Sequence, residues 1–74
     1  MIHYSQHYGV VDGDGILIYR SCAKVCRKMV KSSRKAGVRM AGVIMAAESY
    51  PLGQQIMRLN ASGSWEWIPA AERK

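Results

Sequence analysis

The chain contains no phenylalanine, only two prolines and two cysteines, and between Asp14 and Glu48 not one acidic residue. Each scarcity excludes something. Without Phe, a core must come from Val, Ile, Leu, Met, Ala, Tyr and Trp, and the five Met favour thin, adaptable packing. With so little proline and 49% hydrophobic residues, disorder of the whole chain is not expected. Cys22 and Cys26, four residues apart, are too few for a disulfide scaffold, which points to reduced thiols and an intracellular, cytoplasmic setting. No apolar run approaches a membrane span, so no membrane partner is expected. The start, MIHYSQHYG, lacks the basic segment and long apolar stretch of a signal peptide.

At 74 residues there is room for one domain, 1–74, with one small core. Such a core is thin, and homodimerisation is one route to more buried area. The formal charge of +6 implies attraction to anionic surfaces, nucleic acid or an acidic protein groove first among them.

Segment by segment, the pattern predicts five strands and one helix. Ile2 to Val11, rich in Tyr, His and Val, reads as a strand with Ile2, Tyr4, Gln6, Tyr8 and Val10 on one face. Asp12-Gly13-Asp14-Gly15 is a hairpin turn signal, and Ile16 to Tyr19 reads as the returning strand. The competing reading makes residues 16–19 the first turn of the helix that follows. Ser21 is the expected cap of that helix. Along it, Cys22, Val25, Cys26, Met29, Val30 and Ser33 form a packing stripe, while Lys24, Arg27, Lys28, Lys31, Arg34 and Lys35 take the opposite sector. Gly37 is a left-handed terminator. Val38 to Ala47 reads as a buried strand, residues 48–53 as a turn, and Gln54 to Asn60 as a strand. Residues 61–64 connect tightly to a last strand, Trp65 to Ile68, which Pro69 stops; residues 70–74 are expected to fray. The expected fold is α+β, in the order β-β-α-β-β-β: a small antiparallel sheet with the amphipathic basic helix on one face.

Catalysis is poorly supported, and the protein is read as a non-enzyme. Cys22 and Cys26 have basic neighbours that would lower a thiol pKa, and His3 or His7 would serve as a base, but nothing places either His beside either Cys. Both thiols fit more simply as small core residues. A zinc site from His3, His7, Cys22 and Cys26 has the right atoms, yet the two histidines would lie about 13 Å apart on an extended strand. Turn formation accounts for Asp12 and Asp14, and the glycines lack phosphate-loop spacing. No metal and no cofactor is expected.

What remains is the charge. Arg20 to Arg39 carries eight Lys or Arg and no acid. The six cations on the solvent side of the helix, flanked by Arg20 and Arg39, suit a phosphate backbone without reading base sequence. Tyr4, Tyr8, Tyr19, Trp65 and Trp67 add stacking platforms if they face outward, or core if they do not. The alternative is a protein-interaction module that docks its basic helix into an acidic or nucleic-acid-binding groove. Inhibitors and adaptors carried by phages and other mobile elements share this size.

Overall fold

A computed structural model describes residues 5–73 of the chain. Five strands and one helix follow in the expected order: β1 (Tyr8–Asp12), β2 (Leu17–Ser21), α1 (Ala23–Lys35), β3 (Met40–Ile44), β4 (Met57–Leu59) and β5 (Trp65–Trp67). Single 3-10 turns lie at Ala47–Ser49 and Ala70–Glu72. The fold is α+β. The strands divide between two antiparallel sheets, one of three strands in the order β2-β1-β3 and one formed by β4 and β5. Ile2, His3 and Tyr4, expected in the first strand, lie outside the described residues; His7 precedes its start at Tyr8.

β1 is the centre of the molecule because its adjacent valines point to opposite faces. Val10 packs with Cys26, Val30 and Met40 beneath α1. Val11 packs with Leu17, Ile44, Ala47 and Ile56 on the other face. The C-terminal segment, not solvent, covers that second face. It is anchored where Ile56 and Met57 donate backbone N–H groups to the Gly15 carbonyl and Gly53 donates to that of Leu17. Ile56 is fully buried as a result.

Two hairpin turns use one device. In the first, Asp12 Oδ1 accepts from the N–H groups of Asp14 and Ile16, and Gly15, in the left-handed region at φ 80°, donates to the Asp12 carbonyl. In the second, Asn60 Oδ1 accepts from the N–H groups of Ser62 and Ser64, and Gly63, at φ 85°, donates to the Asn60 carbonyl. A side-chain acceptor at the first position and glycine at the fourth satisfy the loop backbone in both. The first turn thus spans three residues between Asp12 and Ile16, and the strand reading of residues 16–19 holds from Leu17 onward.

The helix begins later than its expected cap. Ser21 is buried as the last residue of β2, paired with Tyr8, so the sheet claims its backbone. Cys22 takes the N-cap position and makes no side-chain cap bond. The other end follows expectation: Gly37 has φ 85°, Val38 N–H donates to Ser33 and Gly37 N–H to Arg34, the paired bonds of a Schellman terminus.

Of the residues expected to fray, 70–73 make contacts, and Lys74 lies outside the described residues. Arg73 donates to the Ile68 carbonyl at 2.8 Å and lies over the Tyr50 ring, while Glu72 pairs with Arg58 at 3.3 Å. Among the described residues no helix is long and apolar enough to cross a membrane.

Candidate anion-binding surface

The helix converts its sequence spacing into a sorted surface. At 100° per residue, Arg34, Arg27, Lys31, Lys24, Lys35 and Lys28 follow one another around an arc of roughly 120°. All six are exposed, while Cys26 and Val30 behind them are buried. The order within the arc matters. Arg27 and Arg34 sit at the margin next to Val30, where α1 meets β3; Lys24, Lys28 and Lys35 face straight outward.

None of these six cations forms an ion pair among the described residues. Four of the chain's five acids are engaged elsewhere. Glu48 pairs with His7 at 2.8 Å. Glu66 and Glu72 share Arg58, whose pKa they raise, the Glu66 hydrogen bond most. Asp12 spends its carboxylate on the first turn. The helix field is therefore uncompensated.

Arg34 has a second task. Its Nη2 donates to the Met40 carbonyl at 3.1 Å and to the Ala41 carbonyl at 3.3 Å. That holds the guanidinium at the mouth of an open groove of about 440 Å³ between α1 and β3, lined by Arg27, Val30, Lys31, Arg34, Gly42 and Val43. The sequence gives no sign of this groove, because Val43 reads only as a buried strand residue.

The flanking arginines are not part of the arc. Arg20 lies on β2, where its Nε donates to the Ala47 carbonyl at 2.9 Å and ties β2 to the 3-10 turn after β3. Arg39, between the helix terminus and β3, stands over the Trp65 ring at 5.9 Å. The sequence reading already sets both outside the helix, but it gives no sign of their contacts with Ala47 and Trp65.

Among the described residues the aromatics form no platform beside the six helix cations. Tyr8 packs against the core under the helix. Trp67 stacks on Tyr50, with centroids 5.4 Å apart and an interplanar angle of 15°. Tyr19 is exposed on β2, and Tyr4 lies outside the described residues. The Tyr50 stack had no signature in the sequence.

Cys26 is fully buried, and burial pushes its thiol pKa up, partly opposed by a hydrogen bond with the Ser21 backbone. Cys22 is half-buried, and both thiols are free. His7 is engaged with Glu48 and the edge of Tyr8. Among the described residues no three His, Cys, Asp or Glu side chains converge as metal ligands. Comparison with known proteins finds no matching family, no similar curated protein and no similar solved structure.

Proposed function

We propose that the protein is a non-enzymatic binder of nucleic acid, gripping the phosphate backbone with the outer face of α1. The observation that carries this reading is the arc of six exposed cations with no ion-pair partner among the described residues. Lysines facing outward supply mobile point charge, which follows a phosphate chain without demanding one geometry. Arginines at the margin supply forked donors. Among the described residues no aromatic ring shares the arc, so the reading is one of backbone contact and not of base stacking.

The test is a titration against duplex DNA, single-stranded DNA and RNA between 50 and 200 mM salt. Each phosphate neutralised contributes about −0.9 to the slope of log K against log salt on duplex DNA. Replacing Lys24, Lys28, Lys31 and Lys35 together by Gln should lower affinity for all three ligands and flatten that slope by as much as about 3.6. Undiminished binding by the fourfold variant overturns the reading. Loss confined to Arg27 or Arg34 variants, with DNA and RNA competing poorly, would point to a protein partner instead.

A further inference from the structure

The groove beside the arc has properties that phosphate does not call for. Its floor is aliphatic, made by Val30 and Val43, with no ring to stack a base and no polar side chain to read one. Its rim is cationic along one line: Arg27, Lys31 and Arg34 stand at i, i+4 and i+7, a span of about 10 Å along the helix. Its far wall is a sheet edge. β3 is the outer strand of its sheet, hydrogen-bonded to β1 on one side. On the other, among the described residues, only Arg34 is shown engaging its backbone, at Met40 and Ala41. Gly42 carries no side chain to hold a visitor away, and even a Cβ there would reach only Arg34, at 3.9 Å.

From these features we infer that the α1–β3 groove receives a short, extended peptide segment of a partner protein that alternates acidic and bulky aliphatic residues. Side chains two apart on an extended chain repeat about every 6.6–6.8 Å, close to the rise of about 6 Å between Arg27 and Lys31. Carboxylates on one side of the segment meet the cation row along the rim, while its opposite side faces the floor of the groove. Its aliphatic side chains reach Val43 and Val30. This goes beyond the nucleic-acid reading: it uses the margin of the arc and leaves Lys24, Lys28 and Lys35 outward.

The experiment measures fluorescence anisotropy with a labelled peptide of alternating Glu and Leu, seven residues long. Two controls accompany it: Ser replacing each Leu, and an oligothymidylate competitor. The protein variants are Val43→Thr, the double variant Arg27→Glu/Lys31→Glu, and the triple variant Lys24→Gln/Lys28→Gln/Lys35→Gln, each checked for native circular dichroism. Val43→Thr keeps the side-chain shape, so a folded sample is expected.

Charge reversal should cost at least about tenfold in peptide affinity. Val43→Thr and the Ser peptide should each weaken binding several-fold to about tenfold, as loss of apolar fit does. The triple lysine variant should retain it. Equal binding by the Ser peptide, or indifference to Val43→Thr, overturns the inference and leaves only nonspecific charge attraction. Val43-dependent binding of oligothymidylate in place of peptide overturns it in favour of a nucleobase in the groove. Failure of the peptide alone, with salt-sensitive DNA or RNA binding intact, removes this inference and leaves the nucleic-acid reading standing.

Discussion

The Arg34 guanidinium reaches across from the last turn of α1 to the Met40 carbonyl, 3.1 Å away, and so joins the helix to the first residue of β3. One side chain thereby serves two ends: it fixes the helix over the sheet and stands at the rim of the basic arc. Arg34→Ala should destabilise the fold by about 1 kcal/mol, the usual net worth of such a bond, read as a lower urea midpoint. Arg27→Ala, which removes a neighbouring arc charge, should leave the midpoint nearly unchanged. Equal midpoints for both variants would show that the tie adds nothing.

The two matched turns allow a controlled comparison. Gly15 and Gly63 share the same left-handed backbone, but their surroundings differ. A Cβ at Gly63 meets nothing within 4 Å, whereas one at Gly15 would collide with the Met57 carbonyl. Gly63→Ala should therefore cost about 1–2 kcal/mol, the conformational penalty alone. Gly15→Ala should cost about 3 kcal/mol or more, because the C-terminal segment must also give way. Thermal unfolding of the pair checks this, and similar losses would mean that the segment is free to move off.

Ala46 is the one residue other than glycine with positive φ among the described residues, at 54°. It turns the chain out of β3 so that Ala47 enters the core, with its N–H on the His7 carbonyl and its own carbonyl on Arg20. Ala46→Gly removes a left-handed penalty of about 1–2 kcal/mol and adds about 0.5–1 kcal/mol of backbone entropy cost. The net expectation is a gain of between zero and about 1.5 kcal/mol in chemical denaturation, and a clear loss would show that the Ala46 methyl packs usefully.

The thiols should be distinguishable. Cys22 is half-buried and Cys26 fully buried with a raised pKa, so alkylation of the native protein should modify Cys22 first. The raised pKa also sets a sign. Above the ordinary thiol value the unfolded chain releases its Cys26 proton while the folded chain still holds it, so stability is intact below about pH 9 and falls as pH rises through the raised value. Cys26→Ala should remove that alkaline decline, measured as urea midpoints across pH 8 to 10. An unaltered decline would assign it to other groups.

The parts of this fold that were legible in the sequence are those whose causes are local. The helix shows in its 3.6-residue spacing, its end in Gly37, and the first turn in Asp12 and Gly15. The sorting of Cys26 and Val30 inward and six cations outward follows from the same periodicity. Long-range facts left no such mark. Ile56 completing the core opposite the helix, and hence the division into two sheets, depends on Gly15 offering its carbonyl to a segment forty residues away. Arg20 looks like a member of the charge run until Ala47 is seen to hold it. Asn60 repeats the role of Asp12, but an amide and a serine in place of two aspartates disguise the match.

The partition of charge has a consequence for rates. Glu66 and Glu72 sit with Arg58 in the C-terminal segment, and six unpaired cations sit on the outer face of α1. A body charged so unevenly turns in the field of a polyanion before touching it, so collisions arrive helix first. Encounter should then be fast at low ionic strength and slow steeply as salt shortens the reach of that torque.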